Sequence, residues 1–106
     1  VYFHFDDYTL TDDGMARLDA LADHLKKNPG KKLRIEGHCD ERGSTEYNLA
    51  LGQLRAQSVR KYLANRDVTE ARLDAISFGE ERPAAKGRTE SAWAKNRRAE
   101  FKFLNI

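Results

Sequence analysis

The side chains in this 106-residue sequence that invite chemistry gather in one stretch, from His38 to Arg55. Residues 45–65 read as a helix. Projected at about 100° per residue from Asn48, Leu51 falls at about 300°, Tyr62 at about 320°, Arg55 at about 340° and Val59 at about 20°. Arg55 therefore lies inside the apolar stripe. A guanidinium cannot shed its charge to escape burial, so this position requires an anionic partner within the fold, a route for its head to water, or a ligand carboxylate held bidentately. Asp40 precedes the helix, after the carboxyl end of a strand-like run. Gly43-Ser44 opens the helix N-terminus, whose free N–H groups favour anions. Two readings stand side by side. Asp40 pairs with Arg55 inside the fold, or the two face a zwitterion, Asp40 taking an ammonium and Arg55 a carboxylate. Asn48, on the same helix face nearly two turns before Arg55, supplies a neutral hydrogen bond in the second reading.

Catalytic chemistry fits these residues less well. His38-Cys39-Asp40 holds the residue types of a nucleophilic site, but neighbours in extended chain point to opposite sides, and a thiolate needs its base at hydrogen-bond distance. Cys39 reads as a small buried filler, and as the lone cysteine it permits no intramolecular disulfide. His38 and Cys39 have no second Cys/His pair at zinc-ligand spacing, with His4 and His24 standing alone. Ser44 and Ser58 lack a Gly-x-Ser-x-Gly context, and Gly37, Gly43 and Gly52 make no phosphate loop. The sequence therefore predicts no enzyme, no metal and no cofactor.

The elements that must position Asp40 and Arg55 follow from periodicity. Val1, Phe3 and Phe5 alternate with polar residues, the pattern of a strand with one buried face. Thr11 caps a helix whose first turn holds Asp12 and Asp13, with Met15, Leu18, Leu21, Ala22 and Leu25 at helical spacing, until Asn28-Pro29-Gly30 stops it. Leu33 and Ile35 alternate in a second strand, over residues 33–37. Ser44 or Thr45 caps the long helix, which runs to about Asn65. A third strand over residues 73–78 enters the loop Gly79-Glu80-Glu81-Arg82-Pro83, and a helical turn at 90–95 precedes a last strand over 99–104. The order β-α-β-α-β-(α)-β predicts one α+β domain spanning residues 1–106, a mixed four-stranded sheet packed on two main helices.

Composition narrows the partners. The net charge of +2 conceals a split, with 7 basic and 10 acidic residues over 1–53 against 12 and 7 over 54–106. The acidic half and the interspersed signs argue against a nucleic-acid surface. The longest apolar run falls far short of the ~20 residues of a spanning helix. The abrupt start in a strand-like run predicts a domain of a longer precursor.

Gly37-His38-Cys39-Asp40-Glu41-Arg42-Gly43-Ser44, followed by Asn48, Leu51, Arg55-Ala56 and Val59, resembles the core motif of OmpA-like peptidoglycan-binding domains: Gly-x-x-Asp before the helix, Asn-x-x-Leu-x-x-x-Arg-Ala-x-x-Val within it. Ser77-Phe78-Gly79-Glu80-Glu81-Arg82-Pro83 and Ala94-Lys95-Asn96-Arg97-Arg98-Ala99 extend the likeness over nearly the whole chain, toward the lipid-anchored members of that family. The resemblance implies an OmpA-like fold that binds the stem peptide of peptidoglycan non-covalently through the free amino-acid centre of diaminopimelate. It carries the grip onto Asp40 and Arg55, with Asp6, Asn48 and the amides near Arg42 and Gly43 as further members. It also implies the periplasmic side of the outer membrane, a lipidated cysteine upstream of Val1 as anchor, and TolB as a protein partner. A wall anchor of a porin or flagellar stator, or a protein-interaction domain without wall binding, are the alternatives. Cys39 replaces the usual Ala or Thr, Leu54 a common Arg and Phe78 a common Tyr, and none of these removes a residue the grip requires.

Overall fold

The computed structural model of the chain describes residues 1–105. Its elements are α1 (Asp12–Lys27), β1 (Lys31–His38), α2 (Thr45–Asn65), β2 (Leu73–Gly79), α3 (Glu90–Asn96) and β3 (Arg98–Asn105), with a 3-10 turn at Glu70–Arg72 before β2. The strand order is β2-β1-β3, with β1 parallel to β2 and antiparallel to β3. The helix starts follow their caps: Thr11 accepts from Gly14 N–H at 3.0 Å and Ser44 from Tyr47 N–H at 3.1 Å. Leu33 and Ile35 of β1 are fully buried against Ala56, Val59 and Leu63 of α2 and Leu18, Ala22 and Leu25 of α1. Each of the Leu, Ile and Val side chains among them contributes about 1.5–3 kcal/mol on leaving water.

The expected first strand is the principal correction. Only an isolated antiparallel bridge, Tyr2 with Arg98, joins residues 1–5 to the sheet, which has three strands rather than four. Phe3 N–H donates to the Arg97 carbonyl at 2.9 Å and Ala99 N–H to the Val1 carbonyl at 2.8 Å. Pairing cannot continue because α3 turns away just before β3 begins. The carbonyls of the segment go instead to guanidinium groups: Arg97 Nε donates to Phe3 at 2.9 Å, Arg55 Nη2 to His4 at 3.1 Å and Arg55 Nε to Asp7 at 2.8 Å. Asp6 then turns the chain through a left-handed φ of 52°, and Phe5 is left exposed.

Two features of the sheet bear on the site. Gly37 of β1 and Gly52 of α2 are in direct backbone contact, a Cβ on Gly37 falling 1.8 Å from the Gly52 carbonyl oxygen. This approach seats α2 on the strands and sets Asn48 and Arg55, one turn either side of Gly52, beside the carboxyl end of β1. Along β2, the carbonyls of Leu73 and Ala75 accept from Arg60 Nε at 2.9 Å and Gln53 Nε2 at 3.4 Å, both on α2.

On the sheet face away from the helices, His38 is buried and stacks on Phe78, ring centroids 5.6 Å apart. Neither ring nitrogen has a hydrogen-bond partner, the nearest carboxylates being Glu36 at 3.9 Å and Glu100 at 4.0 Å from Nε2. Burial, reinforced by the charge of Arg98, lowers its pKa to about 4, so the ring is neutral near pH 7.

Candidate ligand cleft

Arg55 is 1% exposed, as its place in the apolar stripe predicts, but its partners are backbone carbonyls rather than a carboxylate. Nε donates to Asp7, Nη1 to His38 at 2.9 Å and Nη2 to His4. One side chain on α2 thereby ties the N-terminal segment to the end of β1. Burial lowers its pKa from the ordinary value, opposed by the nearby Cys39 and Asp40. Three of the five guanidinium N–H groups are engaged, which leaves two, one each on Nη1 and Nη2.

The internal Asp40–Arg55 pair is not formed, because Asp40 is taken by Arg42. Arg42 Nε donates to Oδ1 at 3.1 Å and Nη2 to Oδ2 at 2.9 Å, and the Arg42 backbone N–H donates to Oδ1 at 3.0 Å. The amide of Arg42 is thus spent on Asp40, not turned to the cleft as the sequence suggested. Burial alone would raise the Asp40 carboxyl pKa, but these bonds and the charges of Arg42 and Arg97 outweigh it and hold the group below the usual carboxylate range. The Arg42 guanidinium lies between two aromatic rings, 4.1 Å from the centre of Phe5 and 4.0 Å from that of Trp93.

All six residues singled out in the sequence, Asp6, Asp40, Arg42, Gly43, Asn48 and Arg55, line one cleft of about 220 Å³. Phe5, Cys39, Tyr47 and Leu51 complete its wall. Gly43, at a φ of 98°, makes the turn that starts α2 at the cleft floor. Asn48 is buried and donates to the Asp40 carbonyl at 3.3 Å and to Glu80 Oε1 at 3.0 Å. Asp6 accepts from the Tyr47 hydroxyl. The Cys39 thiol donates to the Asn48 carbonyl at 3.2 Å, and burial pushes its pKa up to about 11. A cleft this small suits the end group of a ligand, since pockets for whole drug-sized molecules run about 300–1,000 Å³.

Phe5, Tyr47 and Trp93 were not anticipated. Phe5 belonged to the expected buried face of a strand, Tyr47 precedes Asn48 on the helix, and nothing in the spacing of Trp93 connects it to Asp40. Among the described residues no cluster of three His, Cys, Asp or Glu has metal-binding geometry, and no helix is long and apolar enough to cross a membrane.

Residues 2–97 match the OmpA family, and the chain belongs to it. Its curated relatives include the peptidoglycan-associated lipoprotein of Haemophilus influenzae, 50% identical over 99 residues, covering 93% of this chain and 65% of the relative. That of Pseudomonas aeruginosa is 46% identical over 101 residues, covering 95% of this chain and 60% of the relative. The chain thus spans about three-fifths of the length of these relatives. The crystal structure of the peptidoglycan-associated lipoprotein from Burkholderia pseudomallei superposes with a TM-score of 0.95 at 46% identity, covering 98% of this chain and 88% of that one. The C-terminal domain of Helicobacter pylori MotB shares the fold, with a TM-score of 0.90 at 22% identity, covering 99% and 83%.

Proposed function

We propose that this chain is a non-catalytic peptidoglycan-binding module whose cleft holds the free amino-acid centre of diaminopimelate in the stem peptide. The observation that carries the reading is the placement of a buried carboxylate, Asp40, and a buried guanidinium with two unspent N–H groups, Arg55, on one small cleft. A carboxylate of the ligand is held by those two donors, and its ammonium by Asp40. Asp6, Asn48 and the turn at Arg42 and Gly43 frame the rest of the end group.

The names of the relatives support the wider setting. Those names carry a wall contact and a lipid anchor. From the family resemblance we extend the reading to a module on the periplasmic side of the outer membrane, tethered upstream, that holds that membrane to the wall as part of the Tol-Pal system, with TolB as a protein partner. The excess of acidic over basic residues in 1–53 argues against a nucleic-acid partner.

Binding to purified sacculi tests the site. Asp40→Asn should weaken sedimentation with sacculi by about 2–5 kcal/mol, because it leaves the ligand ammonium unpaired. Arg55→Lys should weaken it too, because an ammonium keeps the charge but cannot reproduce the paired N–H groups that hold the ligand carboxylate. Free diaminopimelate should compete, and its amide should not. Retention of both folded variants on sacculi at the wild-type level would remove Asp40 and Arg55 from the site.

A further inference from the structure

Arg42 occupies the position that the proposed ligand's ammonium requires. Its guanidinium engages both oxygens of Asp40, whose side chain is only 5% exposed, and is clamped between Phe5 and Trp93. An ammonium cannot reach that carboxylate without moving it. We propose that Arg42 is an internal competitor for the cleft, a latch that mimics the cationic end of the ligand and must be displaced for binding. The inference rests on the assignment of Asp40 to the ligand ammonium.

The structure also supplies a destination for the displaced group. Glu90, in the first turn of α3, has its Oε2 3.9 Å from Arg42 Nη2 and is largely exposed. A shift along the slot between the two rings moves the guanidinium from the buried carboxylate toward the exposed one while retaining aromatic contact. Arg97 keeps Asp40 from being left bare during the exchange, with Nη1 3.8 Å from Oδ2, no hydrogen-bond partner of its own there, and its Nε and Nη2 anchored on the Phe3 carbonyl and Glu90. The ammonium therefore replaces one cation on Asp40 by another. An end group that brings only an ammonium gains little from the exchange. One that also brings a carboxylate for Arg55 gains a second ion pair, so the latch reserves the cleft for ligands carrying both charges.

The experiment is a calorimetric titration of wild type, Arg42→Gln, Asp40→Asn and Arg55→Lys with a soluble muramyl stem peptide containing diaminopimelate. A latch closed in nine molecules of ten lowers the apparent affinity about tenfold, so Arg42→Gln should bind about tenfold tighter than wild type. In parallel, the Arg42 Nε–H resonance of the wild type should be protected from exchange in the free protein and lose that protection on saturation with the peptide. If Asp40→Asn and Arg55→Lys lose binding while Arg42→Gln binds equally or more weakly, or the Nε–H protection persists in the complex, the latch is overturned and the site assignment stands. If Asp40→Asn and Arg55→Lys bind like wild type, the site assignment itself falls and the latch with it.

Discussion

Gly37 and Gly52 meet backbone to backbone across the interface of β1 and α2, and neither has room for a side chain. A Cβ on Gly37 would lie 1.8 Å from the Gly52 carbonyl oxygen, against fixed backbone. A Cβ on Gly52 would lie 2.2 Å from Ser77 Oγ and 3.0 Å from the Gly37 carbonyl. The first obstacle cannot move without moving the helix, whereas Ser77 Oγ can rotate. Gly37→Ala should therefore cost more than Gly52→Ala, at about 3 kcal/mol or above against about 1–3 kcal/mol. Ser77→Ala should recover part of the Gly52→Ala loss. Urea denaturation of the four variants decides this, and equal losses in the two glycine variants would contradict it.

Arg55 is expected to be as important to the fold as to the cleft. Arg55→Ala orphans three carbonyls, those of His4, Asp7 and His38, and should lower stability by about 3–5 kcal/mol. Arg55→Lys keeps the charge but replaces a planar fork by a compact ammonium, so it should recover less than half of that loss. Binding measurements on either variant belong below its own melting temperature. A wild-type urea midpoint for Arg55→Ala would show that the N-terminal segment does not depend on it.

His38 should make stability depend on pH in mildly acid solution. Its folded pKa of about 4 lies below the ordinary 6.5, so the unfolded chain binds the proton more readily. The neutral ring's contribution is complete above the unfolded pKa. It is lost as pH falls from about 6.5 toward 4, by up to about 3 kcal/mol. In His38→Phe, which can keep the stack on Phe78, that part of the slope should vanish. An identical slope between pH 6.5 and 5 in the two proteins would assign the effect to other groups.

Cys39 should resist thiol reagents while the protein is folded. The side chain is buried and its pKa is raised to about 11, so at pH 8 both access and thiolate are scarce. Labelling by a disulfide reagent should be at least about a hundredfold slower in native buffer than in denaturant. Rapid native labelling would mean that the floor of the cleft opens readily.

The parts of this structure legible in the sequence are those in which one residue type has one use. Thr11 and Ser44 cap the helices their spacing announces, and Leu33 and Ile35 mark the central strand. Arg55 betrays its burial by standing in an apolar stripe. Its partners are not legible there, because a backbone carbonyl leaves no trace in the side-chain pattern and Asp40 is the acid that the spacing offers in their place. Val1, Phe3 and Phe5 alternate as a strand would. Whether such a segment pairs is decided by Arg97 and Arg55, which claim its carbonyls from far along the chain. The clamp on Arg42 joins Phe5 to Trp93 across most of the sequence, beyond the reach of any local period.

The carbonyls of Leu73 and Ala75 that Arg60 and Gln53 cover have a consequence for crowding. An uncovered edge of β2 would offer a template on which a neighbouring chain could add a strand, the first step toward aggregation. Two long side chains reaching over from α2 fill those acceptors from within the same molecule. A neighbouring chain meeting this border finds those two acceptors already filled, so the helix that carries the cleft also removes part of the template for strand addition.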